Sequence, residues 1–132
     1  MTTWLIVEDD PDLVEMFAAT TELLGVNSLF FSSGEAVAEW IDDIDRYGFQ
    51  GEIPQLALLD IRLSGEMTGV MVGALLRECP LLASMKLILM TAYRLSPSWE
   101  KIMLNQAGAD LLLYKPLPRF DQLQRILQTL VH

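Results

Sequence analysis

The stretch Pro54-Gln55-Leu56-Ala57-Leu58-Leu59-Asp60-Ile61-Arg62-Leu63 decides the fold of this chain. An apolar run of strand length ends on the aspartate, and Ser64-Gly65 then turns the chain. Such a run, bounded by turn residues, is typical of a strand buried on both faces of a parallel sheet. Asp60 would lie at the carboxyl end of that strand, where open α/β sheets bind ligands. Taken alone, Asp60 is better explained as a turn residue, so the other strands must decide.

The composition predicts one globular domain spanning residues 1–132, because 52% of the residues are hydrophobic and only 20% are charged. A net charge of −9 argues against unaided binding to nucleic acid or to an anionic membrane. Cys79 is the only cysteine, so the chain has no internal disulfide and suits a reducing compartment. No apolar run approaches the roughly 18 residues that span a bilayer, and we expect a cytoplasmic protein.

Strand patterns and helix patterns alternate five times along the chain. Turn and cap residues separate them, including Asp10-Pro11 before the first helix and a capping box at Ser32-Ser33-Gly34-Glu35 before the second. This alternation predicts a single doubly wound parallel sheet of five strands, with five helices distributed over both faces. The strands are predicted at 4–7, 26–31, 56–60, 86–91 and 110–114.

The order 2-1-3-4-5 would bring the polar residue at the end of each of four strands to one edge of this sheet. Three of the residues gathered there are acids, Glu8, Asp9 and Asp60. Carboxylates drawn together repel one another, and hard oxygen ligands favour Mg²⁺ as the compensating cation. The same acids argue against a phosphate site at the first turn, and no G-x-G-x-x-G motif follows any strand.

Thr91 and Lys115 end the fourth and fifth predicted strands. Taken singly, Thr91 is explained as a strand-end residue and Lys115 as a surface lysine. Together with Asp60 they supply a hydroxyl donor, a cation and a carboxylate nucleophile, and the backbone amide of Ala92 adds a second donor. These are the groups that phosphoryl transfer to a carboxylate requires.

Four motifs in order give the chain a family resemblance over essentially its whole length. They are LIVEDDP at 5–11, LALLDIRLSG at 56–65, LILMTAY at 87–93 and GADLLLYKPL at 108–117. With them the chain resembles the receiver domains of response regulators in two-component signalling. The resemblance implies a flavodoxin-like fold and a signalling protein rather than an enzyme.

The resemblance also implies a role for each residue of the predicted edge. Asp60 would accept a phosphoryl group from a phosphohistidine on a sensor histidine kinase or a phosphotransfer protein. By the same resemblance, Mg²⁺ would be bound by Asp9, Asp60 and the backbone carbonyl of Arg62, and Glu8 would contact it through water. The phosphoryl group would be bound by Thr91, the Ala92 amide and Lys115. The peptide bond before Pro116 would be cis.

Three departures from the family pattern stand out. Ser64 stands where the family usually has proline, and the loop at 64–69 is one residue longer than usual. The loop between the second helix and the third strand is also extended, through Tyr47 to Ile53. Leu112 occupies the position of the family's switch aromatic, three residues before Lys115. The usual coupling, in which a buried ring follows the moving threonine, is therefore in question. Tyr114 and Tyr93 are the nearby aromatic alternatives.

Two other hypotheses stay open beside the phosphorylation switch. Leu112 supports a receiver-like binding module that acts without phosphorylation. An aspartyl-phosphate hydrolase is disfavoured, because Arg62 stands where such enzymes carry a second acid. The receiver is either a stand-alone protein or one cut from a longer chain, and its downstream target is a protein of unknown identity. A homodimer through the last strand and the last two helices is a further partner hypothesis.

Overall fold

The computed structural model describes residues 2–131 and shows five strands alternating with five helices. The strands are β1 (Thr3–Val7), β2 (Asn27–Phe31), β3 (Leu56–Asp60), β4 (Lys86–Thr91) and β5 (Leu111–Tyr114). The helices are α1 (Pro11–Leu24), α2 (Gly34–Tyr47), α3 (Gly69–Glu78), α4 (Pro97–Ala107) and α5 (Phe120–Val131).

All pairings in the sheet are parallel, and the strand order is β2-β1-β3-β4-β5. The predicted fold class and the predicted strand order are therefore confirmed. The chain order reverses between β1 and β3, so the loops that follow these two strands leave in opposite directions. A crevice opens between their carboxyl ends, which is where such sheets hold ligands.

Two apolar layers enclose the sheet. On one face, α2, α3 and α4 contribute side chains such as Val37, Val72 and Ala107, all with no exposed surface. On the other face, α1 and α5 contribute Phe17 and Leu123. Because every strand alternates its side chains between these layers, the central strands are buried on both sides. This explains why the run before Asp60 is apolar without interruption.

The α1–α5 layer contains one buried polar atom without a partner. Trp4 is only 3% exposed, and its indole Nε1 meets no hydrogen-bond acceptor among the residues that the structure describes. Burying a polar N–H without an acceptor costs free energy, so packing of the large indole ring must offset this loss.

The helix starts are set by local caps, and one of these was predicted wrongly. Asp10 accepts a hydrogen bond from the amide of Asp12 and caps α1 as predicted. The capping box is wrong, because Ser33 and not Ser32 is the N-cap of α2. Glu35, the glutamate of the predicted capping box, does not cap α2. One of its carboxylate oxygens instead accepts a hydrogen bond from the amide of Glu66 at 2.9 Å, in another loop.

Two strand starts lie one residue later than predicted. The Val26 amide donates to the carbonyl of Thr21 and so completes the end of α1, which delays β2 to Asn27. Asp110 precedes β5, and its carboxylate accepts the amide of Leu87 at 2.9 Å. In the described residues, no helix combines the length and the apolar character needed to cross a membrane.

Candidate functional site

The register of the sheet brings four strand ends to one edge. Val7 is paired with Leu59 across β1 and β3, and Thr91 is paired with Tyr114 across β4 and β5. Each of the predicted polar residues follows or ends one of these strands. Glu8, Asp9, Asp60, Thr91 and Lys115 therefore lie around one crevice, as the strand order requires.

Three carboxylates form a compact cluster in this crevice. Oxygen atoms of Glu8, Asp9 and Asp60 lie within 4.8 Å of one another. Glu8 is 1% exposed and Asp60 is 5% exposed, whereas Asp9 reaches solvent. Two nearly buried carboxylates at this distance need a positive charge close by.

Lys115 supplies that charge from the end of β5. Its Nζ atom lies 2.7 Å from Oε1 of Glu8 and 3.1 Å from Oδ2 of Asp60. The ammonium group thus bridges the two buried acids. Burial lowers the pKa of Lys115, but its hydrogen bonds to Glu8 and Asp60 and their negative charges outweigh this effect, so its pKa is raised.

Glu8 has an unusual protonation equilibrium. Burial, followed by the hydrogen bond to Asp60, raises its pKa to about 7, although the hydrogen bond and the charge of Lys115 act in the opposite direction. A carboxyl group with this pKa exchanges its proton near neutral pH. The cluster can therefore change its charge under physiological conditions.

The donor set fits a hard divalent cation. Three carboxylates face a single ammonium group, so negative charge remains in excess when all of them are ionised. Oxygen atoms from one or two protein carboxylates, with room left for water and phosphoryl oxygens, are what Mg²⁺ selects. An acidic cluster of this composition suits Mg²⁺ better than a soft metal, because neither histidine nor cysteine takes part.

A hydrogen bond from Arg62 and the close approach of Gly69 hold Asp60 in position. Its Oδ1 accepts the Arg62 amide at 3.3 Å. Gly69 at the start of α3 lies against the Asp60 carbonyl so closely that a Cβ atom at residue 69 would collide with it. A glycine is therefore required at position 69 for α3 to begin beside the aspartate.

The remaining predicted residues follow β3, end β4 or follow β5 at the same edge of the sheet. Thr91 is buried, and its Oγ1 accepts the amide of Tyr93 at 3.1 Å. The Arg62 guanidinium lies 4.7 Å from the centre of the Tyr93 ring, which is a favourable cation–π distance. The peptide bond between Lys115 and Pro116 is cis. The roles assigned to the site residues, including the Arg62 carbonyl and the Ala92 amide, stay predictions.

Tyr114, not Leu112, connects β5 to the loop that follows β4. Leu112 packs against the α2–α3–α4 layer. The Tyr114 hydroxyl accepts the Leu95 amide at 3.3 Å and donates to the Leu95 carbonyl at 3.5 Å. The Arg94 guanidinium lies 4.7 Å above the Tyr114 ring. The aromatic contact with this loop is thus made two residues further along the strand than in the family pattern.

Sequence reasoning missed one residue that touches the cluster. Ser64 donates from both its amide and its hydroxyl to Oδ2 of Asp9, at 2.9 and 2.7 Å. The two residues are 55 positions apart, so spacing alone could not pair them. Two departures from the family pattern pointed there: the length of the 64–69 loop, and Ser64 itself in place of the usual proline.

An open α/β sheet with three acids and a lysine at its switch point defines the class of this protein. Comparison with known families identifies this class, because the family model described as the response regulator receiver domain matches residues 4–128. The chain therefore belongs to the receiver domain family. No curated protein matches the chain.

Solved structures support the same assignment. The chain is similar to a CheY-like receiver domain protein from Methanospirillum hungatei, with 27% identity, a TM-score of 0.73 and coverage of 98% of this chain and 94% of that one. It is also similar to the receiver domain of a sensor histidine kinase from Pseudomonas aeruginosa, which holds a magnesium ion in its active-site cleft. That match has 25% identity and a TM-score of 0.78, and covers 98% and 97% of the two chains.

A third structure, the chemotaxis protein CheY4 from Vibrio cholerae, shares the fold. It is 20% identical with a TM-score of 0.79, and the match covers 98% of each chain.

Proposed function

We propose that this receiver domain accepts a phosphoryl group on Asp60 in a magnesium-dependent reaction, and that phosphorylation changes its protein contacts. One observation carries the proposal: Oδ2 of Asp60 lies 3.1 Å from the Lys115 ammonium while Glu8 and Asp9 close the acidic cluster around it. A buried carboxylate placed between a cation and a metal-binding cluster is suited to act as a nucleophile toward phosphorus.

The transfer itself needs little covalent help from the protein. A carboxylate oxygen of Asp60 attacks the phosphorus of a phosphohistidine, and the new O–P bond forms as the N–P bond breaks. The bonding electron pair stays on the departing imidazole nitrogen. Bound Mg²⁺ would supply charge neutralisation for the phosphoryl oxygens.

The protein groups hold the transferred phosphoryl group in place. The Lys115 ammonium neutralises negative charge, and the Thr91 hydroxyl and Ala92 amide donate hydrogen bonds to phosphoryl oxygens. Asp9, Asp60 and the Arg62 carbonyl would hold the metal, with Glu8 acting through water. Such preorganised donors stabilise developing charge without reorganisation during the reaction.

The proposed phosphoryl donor is a sensor histidine kinase or a phosphotransfer protein. The proposed output surface comprises α4, β5 and α5, through which the domain would contact a downstream protein or a second copy of itself. Three large side chains on or before α4 are exposed there and are available for contact: Tyr93, Trp99 and Ile102.

Labelling with an acyl phosphate tests the phosphoacceptor. With acetyl phosphate and Mg²⁺, wild-type protein should gain one phosphoryl group by intact-mass measurement, and Asp60→Asn should gain none. Asp43→Asn, at an exposed acid of α2, is the matched control and should be labelled like wild type. Equal labelling of Asp60→Asn and wild type would exclude Asp60 as the acceptor.

Leu112 favours a second function, a binding module that acts without phosphorylation. An aliphatic residue there packs into the α2–α3–α4 layer and provides no ring to follow Thr91. NMR spectra with and without beryllofluoride separate the two functions. Shifts that reach α4 and α5 support the switch, whereas shifts confined to the crevice support the passive module.

A further inference from the structure

The loop between β3 and α3 reaches across the crevice and holds one metal-binding candidate. Ser64 directs both its donors at the same Asp9 oxygen, with distances of 2.9 Å from the amide and 2.7 Å from the hydroxyl. An oxygen atom of a carboxylate offers about two acceptor positions, so Oδ2 is fully used. No described residue donates to the other oxygen, Oδ1, which stays free for a cation.

Contacts with the start of α2 fix the position of Ser64. Residue 64 forms a β-bridge with Ser33, the N-cap of α2. Two residues further on, the Glu66 amide donates to Oε2 of Glu35 at 2.9 Å, and this bond holds the pKa of Glu35 below its usual range.

Gly65 makes this attachment of the loop sterically possible. Its φ angle is +90°, and a Cβ atom there would lie 2.6 Å from Oε2 of Glu35. Any other residue would strain the backbone and push the Glu35 carboxylate away. Contacts with the start of α2 on one side and with Asp9 on the other therefore hold the loop in place.

We propose that Ser64 is a positioning residue that orients the Asp9 carboxylate and thereby strengthens Mg²⁺ binding by the acidic cluster. This inference rests on the proposed magnesium-dependent function. Hydrogen bonds to metal-binding carboxylates fix ligand geometry before the ion arrives, and losing such a partner typically weakens metal binding about 10- to 100-fold. Because the Ser64 amide remains when the hydroxyl is removed, we expect the lower end of this range for Ser64→Ala.

Titration calorimetry with MgCl₂ tests the proposal on four proteins: wild type, Ser64→Ala, Ser64→Thr and Ser98→Ala. Ser64→Ala should bind Mg²⁺ about tenfold more weakly than wild type. Ser64→Thr keeps a hydroxyl group at the same position and should bind nearly as tightly as wild type. Ser98→Ala, at an exposed serine of α4, is the control and should match wild type.

Two further measurements separate a positioning role from a structural one. Ser64 is exposed, so the metal-free Ser64→Ala protein should unfold at the wild-type temperature. Labelling of Ser64→Ala by acetyl phosphate should be slow at low Mg²⁺ and should return to the wild-type rate at saturating Mg²⁺. A labelling defect that persists at saturation would overturn the proposal.

The direction of the change in Mg²⁺ affinity caused by Ser64→Ala also tests the proposal. Unchanged or tighter Mg²⁺ binding by Ser64→Ala, with normal binding by wild type, would overturn the positioning role while leaving the proposed function intact. The absence of Mg²⁺ binding by wild type would instead overturn the metal site itself, and the role of Ser64 with it.

Discussion

At the scale of single residues, Glu8 is the group whose chemistry depends most on its surroundings. It is an ordinary acid in the sequence, yet burial raises its pKa to about 7 in the folded protein. The folded state thus favours the protonated carboxyl more than the unfolded state does. The stabilisation from this group is fully present below the ordinary pKa of 4.5 and is lost as the pH rises through about 7.

Proton loss from Glu8 should be linked to Mg²⁺ binding, since the ionised cluster attracts the cation more strongly. We expect the Mg²⁺ affinity of wild type to rise between pH 6 and pH 8 and then to level off. Glu8→Gln carries no charge at any pH and should bind Mg²⁺ weakly, with little pH dependence in this window. Calorimetric titrations at three pH values measure both effects.

The control for this pH dependence is Glu39→Gln, which removes an exposed acid of α2 and should preserve the wild-type profile. An affinity that stays flat from pH 6 to pH 8 in wild type would contradict the link between the Glu8 proton and the metal.

At the scale of secondary-structure elements, Arg77 ties three segments together. From α3, its guanidinium donates to the carbonyl of Gly108 at 2.8 Å and to that of Ala83 at 2.6 Å, and it pairs with Asp110 at 3.2 Å. The end of α4, the loop before β4 and the residue before β5 therefore share one anchor. These partners lie 6, 31 and 33 positions away in the sequence, and none of these separations is a helical spacing, so no local pattern revealed the anchor.

Removing this anchor should destabilise the fold. Arg77→Ala leaves several carbonyl groups without a donor, and we expect a loss of about 2 to 4 kcal/mol in the free energy of unfolding. Arg125→Ala removes an exposed arginine that pairs with Asp121 at 3.6 Å, one helical turn away on α5. Such a pair contributes at most about 0.5 kcal/mol. Urea denaturation compares the variants, and equal losses would contradict the role of Arg77.

The contact between β5 and the loop after β4 provides a second prediction. Tyr114→Phe keeps the ring beneath Arg94 but removes both hydrogen bonds to Leu95. We expect faster amide hydrogen exchange in residues 92–96 and little change in the crevice. Leu112→Val, which changes an aliphatic residue of the same strand face, is the control. Unchanged exchange in Tyr114→Phe would show that the hydroxyl does not hold the loop.

The elements that sequence could predict are those with strong local signals. The apolar run before Asp60 predicted β3, and Asp10-Pro11 predicted the start of α1. The predicted strand order was enough to predict that the polar residues at the carboxyl ends of the strands lie together. Ser64 and the true partner of Glu35 could not be foreseen, because both depend on how one loop lies across another in space.

At the scale of the whole molecule, a metal in the crevice should stabilise the fold by mass action, because only the folded chain assembles the cluster. When free Mg²⁺ is tenfold above its dissociation constant, the expected gain is about 1.4 kcal/mol. For a domain of this size, this corresponds to a rise of about 5 °C in the unfolding temperature.

Differential scanning calorimetry with MgCl₂ and with EDTA measures this gain. Asp60→Asn removes one carboxylate of the cluster and should lose most of it, while Asp43→Asn should keep it. A similar rise in Asp60→Asn and wild type would mean that Mg²⁺ stabilises the chain at some other place.

Two of the tryptophans lie in opposite surroundings, so their fluorescence should differ in wavelength and in accessibility to quenchers. The indole of Trp4 is enclosed between the sheet and the α1–α5 layer, whereas Trp99 on α4 is 55% exposed. Emission from Trp4 should be blue-shifted and inaccessible to acrylamide, and emission from Trp99 should be red-shifted and readily quenched. Once the third tryptophan, the partly buried Trp40, is replaced by phenylalanine, any event at the crevice that moves α4 should alter the quenchable fraction of the fluorescence, and the shielded fraction serves as its reference.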